Sequence, residues 1–228
     1  MNAVTTLADS EARRRKMVDG QIRTTGVTSA LLLEALLEVP REAFVPAARR
    51  DLAYIDEDVL IAGDGGEGSR WLMEPSPFAR LVQLAAIGPG DSVLDVGAGT
   101  GYGAAVLSRL AGRVTALESD PRLAETARAT LAGSGSANVE VVTGDLARGF
   151  APNAPYDVII IEGSIAQLPS LLPVQLTEGG RLVAVEGVGN AGVARFYLKS
   201  GGVVSGRGAF NAAVKPLPGF EIAPAFEF

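Results

Sequence analysis

Carboxylates and bare backbone are what this chain offers for chemistry, because its sequence contains no cysteine and no histidine. That absence removes disulfides, thiolate nucleophiles, Cys/His zinc sites and every triad built around an imidazole, and no residue set calls for a metal. The most informative stretch is Val93-Leu94-Asp95-Val96 running into Gly97-Ala98-Gly99-Thr100-Gly101-Tyr102-Gly103. An apolar strand that ends in alternating glycines sets backbone against a ligand, since glycine tolerates close approach and positive φ. Residues 102–110 continue as a helix, so the unit reads as the strand, tight loop and helix that open a nucleotide-binding α/β sheet. Glu118 follows the apolar segment 113–117 at the place where such sheets set a carboxylate on ribose hydroxyls. The run from Gly99 to Ala104 also satisfies the G-x-G-x-x-A dinucleotide pattern, so the loop alone leaves the ligand open, a ligand-free tight turn included.

The elements that must position these residues follow from periodicity. Strands are expected at 93–96, 113–118, 139–142, 158–161 and 181–185, with helices at 102–110 and 121–132 and a short helix near 171–176. Continuous apolar runs of this length suit parallel strands buried on both faces. Ahead of them, a helix is expected over about 7–18, and Leu31, Leu32, Ala35, Leu36 and Val39 mark an amphipathic helix stopped by Pro40. Residues 58–61 read as a short strand and 63–69 as a glycine-rich loop, while Ser76-Pro77 offers an N-cap and first-turn proline for a helix through Ala85. The segment 187–213 reads as edge strands and turns. Strand order is not legible.

Composition bounds the class. A chain of 228 residues with 47% hydrophobic content makes one sizeable core. The expected organisation is an N-terminal helical cover over 1–75 and an α/β domain over 76–228, forming one structural unit. A net charge of −6 and a pI near 4.8 provide no field for a phosphate backbone, so no nucleic-acid partner is expected. Arg13-Arg14-Arg15-Lys16 reads as a solvated helix face. With neither a leader pattern nor an apolar run of membrane-spanning length, a cytoplasmic protein without a membrane partner is expected. The oligomeric state is not legible.

At this point the chain resembles the protein-L-isoaspartate O-methyltransferase family of S-adenosylmethionine-dependent enzymes. The likeness runs from Asp19-Gly20-Gln21-Ile22-Arg23 to about Gly187, through Val39-Pro40-Arg41-Glu42, Phe44-Val45-Pro46, Ala53-Tyr54, Asp56, the glycine loop, Gly144-Asp145, Ala154-Pro155-Tyr156-Asp157 and Gln175-Leu176 with Gly179-Gly180-Arg181-Leu182. It implies a doubly wound, mostly parallel, Rossmann-like α/β fold with an N-terminal helical extension, and S-adenosylmethionine as cofactor. It also implies a protein or peptide acceptor methylated at isoaspartyl carboxyls. Gly97, Ala98, Gly99, Thr100 and Gly101 would border the cofactor's methionine and ribose, Glu118 would hold ribose hydroxyls, and Asp145 with Leu146 would lie by adenine. Asp95 either touches the ligand or orders the loop, and Asp145 has a second reading as a turn cap. The missing imidazole and thiol fit this chemistry, because an acceptor carboxylate is already an anionic nucleophile and the task is to hold two reactants in line.

Two departures bear on the acceptor. The family's acceptor loop carries Thr-Ile-Ser before its proline, whereas this chain reads Trp71-Leu72-Met73-Glu74-Pro75, leaving Met73 at the serine position. At the end of the strand over 158–161, where the family keeps a small residue, stands Glu162. An ionised Glu162 facing the acceptor, with Glu74 adding to it, would repel a carboxylate and weaken isoaspartyl turnover. The alternative is that Glu162 points away and bonds to nearby backbone. Either glutamate could instead serve as base for a different nucleophile, and a cofactor-binding protein without isoaspartyl activity is the remaining reading. Trp71, Met73, Glu74 and Glu162 are thus the substrate-pocket candidates.

Overall fold

The computed structural model describes residues 7–187 and 189–221. The first six residues, part of the stretch read as lacking a leader, and residues 188 and 222–228 of the expected α/β domain lie outside those described. Helix α1 (Leu7–Met17) runs into one π turn at Val18–Ile22, and α2 (Ala30–Glu38) is capped by Ser29, whose side chain accepts the Leu32 N–H. Strands β1 (Val59–Ala62) and β2 (Arg70–Leu72) form an antiparallel hairpin separate from the main sheet. The 63–69 loop is the turn of that hairpin, whose second arm is too short to show a period in sequence.

Helix α3 (Pro75–Ala85) starts with Pro75 at its first position and Glu74 as cap residue, not with Ser76 and Pro77. Pro75 already carries the fixed φ that suits a first helical position. Then come β3 (Ser92–Val96), α4 (Tyr102–Leu107), β4 (Arg113–Glu118), α5 (Pro121–Ala132), β5 (Val139–Thr143), β6 (Tyr156–Ile165), β7 (Leu176–Glu186), β8 (Val193–Ser200) and β9 (Val203–Asn211). Helix α4 stops at Leu107, short of the expected 110. The helix expected near 171–176 is one 3-10 turn at Pro173–Gln175, because Pro173 cannot donate within a longer helix.

The main sheet has the order β5-β4-β3-β6-β7-β8-β9, with β3 through β7 parallel and β8 and β9 antiparallel at the edge. After β3 the chain builds outward through β4 and β5, then returns to place β6 on the other side of β3. The β3/β6 boundary is therefore the topological switch point, where open α/β sheets bind ligands beyond the carboxyl ends of their strands.

The core lies on both faces of the sheet. Val93, Val114, Val158 and Ile160 join α2, α3 and α4 in one apolar cluster, while Leu94, Val96, Leu117, Ile159 and Ile161 face the other way. Residues on either side of position 75 contribute to the first cluster. Phe44 and Phe78 pack on Tyr102 at ring separations of 5.7 Å each, so the N-terminal region is seated on the first turn of α4. Among the described residues no helix is long and apolar enough to cross a membrane. In the basic run of α1, Arg13, Arg15 and Lys16 are exposed, and Arg14 turns inward to Glu42 and Tyr54. Because Phe44 is fully enclosed, Phe44→Ala should lower unfolding free energy in urea by about 3–5 kcal/mol. A loss below about 1 kcal/mol would show that the N-terminal region is not part of the folded core.

Candidate active site

Alternation along parallel strands puts three carboxylates on one face of the sheet, at one edge. Val93 and Ala116 belong to the face covered by the N-terminal helices, as does Ile160. Asp95 pairs in register with both Ala116 and Ile160 and shares that face. Glu118 and Glu162 stand two residues further along their strands and return to the same side. Glu118, Asp95 and Glu162 thus line the carboxyl edge across β4, β3 and β6, all buried. The region over them contributes two buried arginines, Arg70 from β2 and Arg41 from the turn after α2.

Glu118 is fully enclosed, with donors on both of its oxygens. Its Oε2 accepts the Gly99 N–H at 2.7 Å, and its Oε1 accepts the N–H groups of Ser119 at 2.7 Å and Asp120 at 2.9 Å. Oε1 also pairs with Arg70 Nη1, while Arg70 Nη2 donates to the Gly97 carbonyl at 3.1 Å. Gly99 has φ 56°, and a Cβ there would lie 2.7 Å from Ile61 of β1, so the loop needs glycine for its turn and for its cover. The loop is held below by Leu117, whose carbonyl accepts the N–H groups of Gly97 at 2.9 Å and Ala98 at 3.1 Å. Gly101 closes the turn by donating to Ala98 at 2.8 Å. The Thr100 hydroxyl donates to the Phe44 carbonyl, which spends it on joining the loop to the N-terminal region.

Asp95 and Glu162 behave differently. Neither oxygen of Asp95, nor Oε1 of Glu162, receives an N–H or hydroxyl donor. The two carboxyls face each other, and their contact is a hydrogen bond when Glu162 carries a proton. Burial, with the Asp95 charge and hydrogen bond beside it, raises Glu162 well above the carboxylate range, and burial raises Asp95 to about 7. Both causes favour the neutral acid at Glu162 over the ionised form weighed from the sequence, because a second charge beside Asp95 in a dry crevice is costly. Glu162 does not bond backbone either. Its carboxyl fills the place of the missing Cβ of Gly103, which no larger residue could share. Arg41 lies close enough to oppose the rise at Glu162. Its Nε donates to the Ala53 carbonyl and its Nη2 to the Met73 carbonyl, both at 2.7 Å, with the guanidinium 4.8 Å from the Tyr102 ring centroid. Nη1 of Arg41 is buried without a partner.

The remaining candidates are spread around this crevice. Asp145 is exposed two residues beyond the end of β5 and caps the turn at Leu146–Arg148, accepting the Ala147 N–H at 3.0 Å, while Leu146 is buried. Met73 is turned into the core and offers only its carbonyl. The Glu74 N–H donates to Asp58 at 2.8 Å, and burial followed by the charge of Asp56 raises its carboxyl to about 7. Trp71 points away from Arg70 on the short β2 and, with Lys215 5.1 Å from its ring centroid, lines a cleft of about 490 Å³ together with Gly68, Pro216 and Pro218. A larger cleft, of about 690 Å³, is lined by α1 and the turn after it and by none of these residues.

Sequence reasoning missed Arg70 as a site residue. Its signal was a lone charge between a glycine-rich turn and the apolar pair Trp71-Leu72. The edge as a whole suits a cationic ligand bearing a diol: an unsatisfied buried carboxylate at Asp95, a carboxylate at the end of β4, and glycines between them.

Comparison with known proteins agrees with this geometry. The family profile for protein-L-isoaspartate(D-aspartate) O-methyltransferase matches residues 12–211. Protein-L-isoaspartate O-methyltransferase 1 of Rhodopseudomonas palustris (strain HaA2) is 44% identical over 172 residues, covering 75% of this chain and 68% of that protein. A solved protein-L-isoaspartate O-methyltransferase superposes with a TM-score of 0.78 at 27% identity, over 91% of this chain and 67% of the other. A Plasmodium falciparum structure in complex with S-adenosyl-L-homocysteine superposes with a TM-score of 0.72 at 18% identity, over 92% of this chain and 98% of that one, and speaks to the fold. With a match over most of its length and a crevice at the switch point of its sheet, the chain belongs to the protein-L-isoaspartate(D-aspartate) O-methyltransferase family and is an S-adenosylmethionine-dependent methyltransferase.

Proposed function

We propose that this chain methylates the α-carboxylate of isoaspartyl residues in protein or peptide acceptors, in the cytoplasm and without a nucleic-acid partner. The family match over residues 12–211 carries the reading. In this proposal Glu118 holds the ribose hydroxyls, the backbone of Gly97, Ala98, Gly99 and Gly101 borders the cofactor, and Asp95 receives its ammonium. The exposed carboxylate of Asp145 and the apolar Leu146 flank adenine. When bound, the cofactor supplies a methyl group on a cationic sulfur. The acceptor oxygen is already anionic, so the chain needs no base at that point and its residues orient and exclude water.

Charge balance supports a carboxylate acceptor. With one proton between them, Asp95 and Glu162 carry one negative charge, which with Glu118 is matched by Arg41 and Arg70. On this reading the crevice is close to neutral, and a neutral Glu162 adds no repulsion to an anionic acceptor. Methanol released from methyl esters should show turnover on an isoaspartyl peptide and none on the matched aspartyl peptide; equal rates on both would contradict the proposal. Glu118→Gln should weaken S-adenosylhomocysteine binding in calorimetry by about tenfold or more, because a charged hydrogen-bond acceptor is lost. Unchanged affinity would remove Glu118 from the cofactor site.

The buried pair also links folding to pH. Glu162 is held well above its ordinary value of 4.5 by burial and by the Asp95 charge, so the folded chain keeps a proton that the unfolded chain releases. The stability this group contributes is therefore fully present below its ordinary value of 4.5 and is lost as pH rises toward its raised folded value. Of the groups facing the pair, Arg41 and Arg70 oppose the rise and Glu118 adds to it at Asp95, while burial remains the largest cause. Relative to wild type, Glu162→Gln should gain melting temperature steadily from pH 5 to pH 8, at about 2–4 °C per kcal/mol of relief. A difference that does not change with pH would show that Glu162 is ionised throughout.

A further inference from the structure

Arg70 occupies the very groups that the cofactor would need. Both of its bonded nitrogens are spent on the expected cofactor site, one on the Glu118 carboxylate and the other on the Gly97 carbonyl. Ribose hydroxyls that take both oxygens of Glu118 must therefore displace a buried guanidinium from Oε1. A buried charge left without a partner is costly, so a displaced Arg70 requires another anion. The acceptor's carboxylate is an anion of the same kind as the one given up, and a guanidinium matches either with two parallel N–H donors.

We propose that Arg70 is the receptor for the acceptor's carboxylate, stored on Glu118 until the cofactor's ribose takes that carboxylate over. This rests on the isoaspartyl reading above. Arg70 lies at the start of the loop where this chain lacks a serine, since Met73 is buried and has no hydroxyl. The other buried arginine, Arg41, is bonded to the carbonyls of Ala53 and Met73 and to no group of the expected cofactor site, so a bound cofactor would not release it. The strands that carry Arg70 stay packed in the core through Val59, Ile61 and Leu72, so the exchange is one of its side chain, next to a turn with freedom to adjust. The β1–β2 hairpin is a two-stranded sheet of its own, its turn is exposed, and Gly63, Gly65 and Gly68 within it have left-handed φ. Exchange of partners also couples the two ligands, each tightening the other by the same factor.

Calorimetry on the intact chain tests this. S-adenosylhomocysteine should bind wild type roughly fivefold or more tightly when a saturating isoaspartyl peptide is present, and an absent effect would overturn the proposal without any variant. Arg70→Ala should bind S-adenosylhomocysteine more tightly than wild type, because Glu118 is no longer contested, and should lose the coupling to peptide. In the methanol assay its KM for the isoaspartyl peptide should rise by about tenfold or more, with Arg70→Lys recovering part of that loss. Weaker cofactor binding in Arg70→Ala would mean that Arg70 holds the cofactor itself, and an unchanged KM would mean that another group, Arg41 Nη1 first, receives the acceptor; either result overturns the proposal. Should Arg70→Ala fail to fold, Arg70→Gln removes the charge while keeping donors, and the same two readings apply. If wild type forms no isoaspartyl ester at all, the proposed substrate fails, whereas tighter cofactor binding in the Arg70 variants would still show that Arg70 guards Glu118.

Discussion

The Glu118 carboxylate, enclosed at the end of β4, ties the start of α5 just after it to two parts of the chain that are distant in sequence, the glycine loop and the β1–β2 hairpin. It accepts the N–H of Gly99 in the glycine loop and those of Ser119 and Asp120 at the start of α5, and it pairs with Arg70 of the β1–β2 hairpin. A carboxylate in so dry a place persists because both of its oxygens accept hydrogen bonds and a guanidinium is paired with one of them. The fold therefore depends on this charge as much as the site does. The loop takes its shape from it, the hairpin is anchored by it, and the ligand expected at the switch point has to compete for it.

The second carboxylate group shows the opposite solution. Asp95 and Glu162 stand on the same face, one and two strands away, with no donors from the protein. Two charges there would not both survive, and the pair resolves the conflict by keeping a proton. Gly103 makes the arrangement possible, since any side chain at that position would take the space of the Glu162 carboxyl. The same substitution of glutamate for a small residue that looks hostile to an anionic acceptor when read as a charge becomes tolerable when read with its neighbour.

Much of this was legible beforehand, and the limits have physical causes. Strands β3, β4 and β5 and helix α5 fall where periodicity puts them, because their apolar runs are continuous and end at glycine or at a cap. The glycine loop and Glu118 were found because a strand, a turn and a helix leave marks at fixed spacing. Arg70, Arg41 and the Asp95–Glu162 contact were not found, because each is made between elements tens of residues apart and depends on strand order. Alternation within β3 and β6 separately gives no sign that Asp95 and Glu162 meet until their register is known. The short arm of the hairpin, three residues long, carries too little pattern to be seen as a strand.

The central claim is that Glu118 exchanges Arg70 for the cofactor's ribose. A crystal structure of the chain with S-adenosylhomocysteine would test it most directly. The account predicts both ribose hydroxyls on Glu118, the Gly99 N–H still bonded to it, and Arg70 turned into the space beyond the sulfur. Arg70 still paired with Glu118, and the ribose held by other groups, would contradict it.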